Sequence, residues 1–309
     1  MPLNQAPLDH PREPISIPVP ADPPQRRRLA AAFSTLVSLA LLAMVADQFR
    51  HMKLAEILGM VPHTALFWTT FAAWYLAMPL SEWVIYHRLW KLPISGLGAL
   101  MRKLVSNELL LGYLGEAQFY AWARAKLAMP TAPFGTIKDV TILSALTGNV
   151  ATLVMLVFAW PLVTSGTIGV ELRSVFVSLS VVLGTSFVML LLRRRLFSLP
   201  RKDLWLITGI HFVRIGLLVM LSALMWHWVL PSVAVGLWLV LATLRMLVSR
   251  LPLIPNKDVV FAGLAVYLIG HETPIADMLT MMAGLVLLAH LAVGGIFALT
   301  GLVSEARAS

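Results

Sequence analysis

The chain has 309 residues, of which 59% are hydrophobic and 13% charged, and its mean hydropathy is +0.82. A soluble domain carries about 25% charged residues, so a soluble globular fold is excluded and an all-α, polytopic transmembrane bundle is indicated. The net charge of +9 comes with no soluble basic domain, which argues against nucleic acid as a partner, and the absence of cysteine excludes disulfides and thiolate chemistry.

Residues 1–28 are proline-rich and polar and end in Arg26-Arg27-Arg28, which predicts a disordered cytoplasmic tail. The transmembrane domain is then 29–302, with 303–309 as a polar C-terminal tail. Residues 29–47 form the first predicted span and 65–86 the second, with Trp83, Tyr86 and Trp90 as interfacial anchors and Glu82 among them at the span end. A basic loop follows, with His87, Arg88, Lys91, Arg102 and Lys103, and marks that end as cytoplasmic.

The segment 104–126 is apolar enough to enter a bilayer but holds Asn107, Glu108, Gly112, Gly115, Glu116 and Gln118. With basic residues on both flanks it reads as a re-entrant hairpin, or else as one span with a basic outer loop. Residues 140–163 form a span, with Asn149 placed for an interhelical hydrogen bond. After a loop without Lys or Arg, 174–192 returns to Arg193-Arg194-Arg195 on the inside. Spans over 204–229, 232–248 and 277–302 complete a set of seven, the last with His290 as a packing or hydrogen-bonding histidine.

Between the last two spans lies RLPLIPNKDVVFAG, residues 250–263. Pro252 and Pro255 would each break a helix, so the stretch reads as an unwound passage followed by a new helix. Asn256 suits its N-cap and Asp258 its first turn, at the positive end of the helix dipole. Irregular backbone at membrane depth survives only where protein or a water-filled cavity covers it. The two broken segments echo each other, Glu116-Ala117-Gln118-Phe119 against Asp258-Val259-Val260-Phe261, which predicts two weakly repeated halves. Their flanking charges predict that both enter from the cytoplasmic side.

Ionisable groups inside a membrane cost roughly 2.5–3.5 kcal/mol each and so face a partner or a cavity. Arg214, about a third of the way along its span, is the clearest case, with His211 on the same helix face. Its expected partner is Glu116, Asp258 or a ligand phosphate, which Arg can grip in bidentate fashion. Arg245, Arg250 and Lys257 surround the second break, either through the positive-inside bias or as a headgroup-binding rim at a helix N-terminus. His-Glu-x-x-His, Gly-x-Ser-x-Gly, phosphate-loop and Asp-rich metal motifs are absent, and no metal or cofactor is implied.

Gly115-Glu116 in a broken segment, and RLPLIPNKDVVFAG ahead of the last span, resemble the membrane domain of lysylphosphatidylglycerol synthetases, without the synthetase domain. The resemblance implies a lipid-translocating bundle in a bacterial inner membrane, N-terminus inside, with a polar groove between two halves. Glu116, Arg214, Arg250, Lys257, Asp258, His211 and Asn256 are the expected substrate-binding residues, and an anionic phospholipid or lipid-linked precursor the expected substrate. The alternatives are an integral-membrane enzyme acting on a lipid headgroup through Glu116, Asp258 and His211, or a non-catalytic partner in envelope-lipid assembly.

Overall fold

The computed structural model describes residues 61–110, 113–127, 133–164, 197–249, 257–269 and 274–306, with the single residues 36, 39, 59, 180 and 184. Among the described residues there are eight helices and no strand. They are α1 (Ala65–Trp90), α2 (Gly96–Leu109), α3 (Leu114–Lys126), α4 (Phe134–Thr164), α5 (Arg201–Val229), α6 (Val235–Ser249), α7 (Lys257–Ile269) and α8 (Pro274–Ala306). Three stretches, Phe134–Phe158, Arg201–Val229 and Pro274–Thr300, are long and apolar enough to cross a membrane, consistent with the expected membrane protein. The predicted spans 29–47 and 174–192 lie almost wholly outside the described residues, as does the tail 1–28. Of the predicted C-terminal tail, 303–306 continue α8.

The helices fall into two units of like design. Each unit is a long helix, two short ones and a long one: 26, 14, 13 and 31 residues in α1–α4, then 29, 15, 13 and 33 in α5–α8. A single constant shift along the chain carries Lys103 onto Arg245, Glu116 onto Asp258 and Phe119 onto Phe261. The predicted echo between the broken segments is therefore one part of a repeat of four helices. The units also exchange contacts, since α4 packs on α6 and α8 packs on α2.

The two units run in opposite directions. One apolar core joins Phe67, Phe71 and Trp74 from the first half of α1 to Leu221, Met225 and Trp226 from the last half of α5. A second joins Ile85 and Tyr86 from the end of α1 to Ile207 near the start of α5, with Leu100, Phe119 and Val140. Hence α1 and α5 are antiparallel, with one core at each end of the pair. The start of α2 and the body of α3 lie in the second core through Leu100 and Phe119, with Leu104 of α2 reaching the first. Helices α6 and α7 lie in the first core through Trp238 and Phe261, so the hairpins approach from opposite ends. This corrects the expectation that both breaks enter from one side; flanking charge reports where a loop lies, not the direction of the helix beside it.

The short helices have 13 to 15 residues, about 20–22 Å at 1.5 Å per residue, too short to cross a ~30 Å hydrocarbon layer singly. The two hairpins nevertheless reach each other. Glu108, at the end of α2, accepts a hydrogen bond from the backbone N–H of Lys257 at the start of α7. Close packing within the first hairpin depends on Gly115, because a Cβ there would run into the Lys103 carbonyl. Tyr113, ahead of α3, has φ 73°, a left-handed conformation that a bulky side chain rarely adopts. Further back, Pro79 lies inside α1, where it has no N–H to give the Tyr75 carbonyl one turn earlier.

Candidate functional site

Two clusters of charged and polar residues stand in the bundle, one per hairpin. In the first, Lys103 of α2 projects between two carboxylates, its Nζ 2.7 Å from Glu82 Oε1 of α1 and 3.4 Å from Glu116 Oε1 of α3. Lys103 and Glu82 are buried, their side chains 3% and 5% exposed, while Glu116 is 18% exposed. Asn107, one turn beyond Lys103, donates to Glu116 Oε2 at 3.0 Å and accepts the Gly115 N–H at 2.7 Å. That single amide therefore fixes both the carboxylate and the start of α3. Ser106 donates to Gln118 Oε1 at 2.5 Å and ties the two helices again.

Helix α5 closes this cluster from the far side. Arg214 Nη2 donates to Ser144 Oγ of α4 at 2.8 Å, and the charge of Glu82 acts on the guanidinium. His211, one turn earlier and fully buried, places Nε2 3.2 Å from the Val140 carbonyl. A carbonyl only accepts, so Nε2 carries the proton, and in the neutral ring Nδ1 is a bare acceptor. With Glu82 and Glu116 against Lys103 and Arg214, the cluster is charge-balanced.

The second cluster forms where the hairpins touch. Arg245 Nε of α6 donates to Asp258 Oδ1 of α7 at 2.7 Å, and its guanidinium stacks over Trp74 of α1, 4.9 Å from the ring centroid. Lys257 Nζ donates to the Ser249 carbonyl at 3.3 Å. Glu108 arrives from α2 and feels the charges of Asp258, Lys257 and Arg245. Two acids again face two bases. Beside them a cavity of about 20 Å³, room for a single water molecule, is lined by Trp74, Ser222, Arg245, Asp258 and Phe261. Trp74 Nε1 donates to Ser222 Oγ at 3.0 Å, and Tyr75 Oη pairs with His290 Nδ1 at 3.0 Å.

Measured against the sequence, Glu116, Arg214 and His211 come together in one cluster and Lys257 and Asp258 in the other. Arg250 and Asn256 lie outside the described residues. Asp258 stands in the first turn of α7 and Glu116 in that of α3, as expected. The partners differ. Arg214 hydrogen-bonds Ser144, whereas Glu116 is held by Lys103 and Asp258 by Arg245. Glu82, expected at the interface, is buried, and Lys103, expected in a basic loop, is equally buried because α2 begins at Gly96 and carries it inward. His290 has the hydrogen-bonding role expected of it.

Sequence reasoning missed Lys103 and Glu82 as site residues because each stands beside an interfacial signature, the basic run at 102–103 and the aromatic girdle at 83–90. A signal was present, since Lys103, Ser106 and Asn107 fall on one helical face opposite Glu116 and Gln118. Among the described residues no group of three or more His, Asp or Glu side chains is arranged to hold a metal ion. Comparison with protein-family models, with curated proteins and with solved structures yields no match in any of the three.

Proposed function

We propose that this chain moves an anionic phospholipid or lipid-linked precursor across a bacterial cytoplasmic membrane, the headgroup passing along the two charge clusters while the acyl chains stay in the bilayer. In this reading the chain has six spans (29–47, 65–86, 140–163, 174–192, 204–229 and 277–302) and two re-entrant hairpins, with its N-terminus inside. The expected span at 232–248 is then the 15-residue first arm of the second hairpin. The observation that carries it is the pair of opposed hairpins in inverted units, each with an acid–base pair at matching positions, Lys103–Glu116 and Arg245–Asp258. Inverted repeats with broken helices are the architecture in which a substrate site forms at mid-depth and opens to alternate sides. Charged side chains so placed are expensive in a membrane, and a bundle needing only stability does better with apolar residues. The Gly115-Glu116 and RLPLIPNKDVVFAG motifs, which resemble the membrane domain of lysylphosphatidylglycerol synthetases, point the same way.

The test is headgroup accessibility in proteoliposomes carrying fluorescent phosphatidylglycerol. Reduction of label in both leaflets, against one leaflet in protein-free vesicles, is expected for the wild type. Glu116→Gln should slow it at least tenfold, because it unbalances the Lys103 cluster while keeping the Asn107 hydrogen bond. Reduction confined to the outer leaflet with folded wild-type protein would refute translocation of that lipid.

A further inference from the structure

The first cluster has unspent hydrogen-bonding capacity of a particular kind. Tyr86 Oη, Gln118 Nε2, His211 Nδ1 and Arg214 Nη1 are all buried and have no hydrogen-bond partner among the described residues. Buried polar atoms are rarely left unmet, and several around one charge network mark a place where something else binds. Each of the four residues adjoins the same network: Tyr86 feels the charges of Glu82 and Glu116, Arg214 that of Glu82, His211 those of Arg214 and Lys103, and Gln118 is held by Ser106 one turn from Lys103.

Their chemistry is not uniform. Arg214 Nη1 and Gln118 Nε2 only donate, and Tyr86 Oη can donate, which together suit the oxygens of an anionic headgroup. His211 Nδ1 is a bare acceptor while Nε2 serves the Val140 carbonyl. The charges acting on His211 are Arg214 from its own helix and Lys103 from α2, and Lys103 is in turn paired with Glu82 from α1 and Glu116 from α3. Ser144 and the Val140 carbonyl face it from α4, and α6 contributes Arg245 only to the other cluster, bonded to Asp258. With two acids and two bases the network is neutral. An anion entering it would therefore bring an uncompensated charge into a buried place, which is costly.

Resting on the translocation reading above, we infer that this cluster is a coupled site for an anionic headgroup and a proton: the headgroup takes the three free donors and the proton, drawn from solvent, takes His211 Nδ1. The arrangement makes His211 a positioning and charge-compensating group whose occupancy follows that of the headgroup. Movement of the lipid is then tied to movement of a proton in the same direction.

The experiment is calorimetric titration of the full-length, detergent-purified protein with dihexanoyl phosphatidylglycerol near neutral pH, in two buffers of different ionisation enthalpy. The difference between buffers counts protons. About one proton taken up per anionic lipid bound is expected, and about none for dihexanoyl phosphatidylcholine, whose headgroup is neutral overall. His211→Gln, which keeps a donor for the Val140 carbonyl, should bind with uptake reduced to near zero. Binding of the anionic lipid without uptake overturns the proton inference and leaves translocation standing. No binding of the anionic lipid removes the headgroup reading and the inference with it. Undiminished uptake by His211→Gln overturns the assignment to His211. Should that variant not fold, the contrast between the two lipids on wild-type protein decides the coupling of headgroup and proton, and His211→Asn with the same readout decides the assignment to His211.

Discussion

Lys103→Met is the sharpest perturbation of the first cluster. The substitution keeps the length of the side chain, so packing within α2 changes little, but it removes the cation lying between Glu82 and Glu116. Glu116 keeps the Asn107 amide and is 18% exposed, so its loss is modest. Glu82 has no such relief; its side chain is 5% exposed and Lys103, at 2.7 Å, is its direct ion-pair partner. Breaking a buried pair by removing one side costs about 3–5 kcal/mol, and the field of Arg214 places the expectation near the lower figure, about 3 kcal/mol. Replacing both partners, as in Glu82→Met with Lys103→Met, should recover most of that loss, because a pair exchanged for apolar groups of similar size is close to neutral. Unfolding in mixed micelles with increasing SDS fraction measures both variants. If the single variant unfolds within 1 kcal/mol of wild type, or the double variant is the less stable, then Glu82 does not depend on Lys103 and the burial argument is wrong.

Four other variants test three separate contacts in the same unfolding assay. Gly115→Ala should destabilise by about 1–3 kcal/mol through collision with the Lys103 carbonyl, and protease nicking between α2 and α3 should rise with it. Tyr75→Phe removes only the hydroxyl facing His290 and should cost about 1 kcal/mol; a loss above 3 kcal/mol would mean the phenol holds more than this bond. At the second cluster Arg245→Met should cost more than Asp258→Asn. The first leaves Asp258 and Glu108 together with only Lys257, at about 1–2 kcal/mol for this partly exposed pair, whereas the second also relieves repulsion between two acids. The reverse order would show that Glu108 does not share the Arg245 site.

Much of the frame was legible because long apolar runs have few alternatives. The helices around 140–163, 204–229 and 277–302 follow from length and hydropathy, and the observed α4, α5 and α8 extend them by a few residues at most ends. The two interruptions were also visible, since Gly-Glu and Pro-Asn-Lys-Asp are out of place in continuous spans. Partners were harder. Arg214 looked in need of a carboxylate, yet a serine hydroxyl on α4 lies nearer, and no local pattern encodes a contact with Ser144. Direction was hardest of all. The antiparallel setting of α1 and α5 is made by matching cores, Phe71 with Met225 at one end and Tyr86 with Ile207 at the other, and such long-range pairing leaves no periodic trace.

Pro79 gives the bundle a mechanical property. It divides α1 between the two clusters, with Trp74 and Tyr75 on one side and Glu82 and Tyr86 on the other. A helix missing one rung of its hydrogen-bond ladder bends more readily there than elsewhere. From Pro79 to Trp90 is about 16 Å of helix, so a tilt of about 10° at the proline swings that end through about 3 Å. Glu82, one turn from the proline, moves by less than about 1 Å in the same tilt. A lever of this length, pivoting between two balanced charge groups, would shift Tyr86 and Trp90 against Phe119 while the Trp74 end stayed seated against Arg245, so the two ends of the bundle need not respond in step.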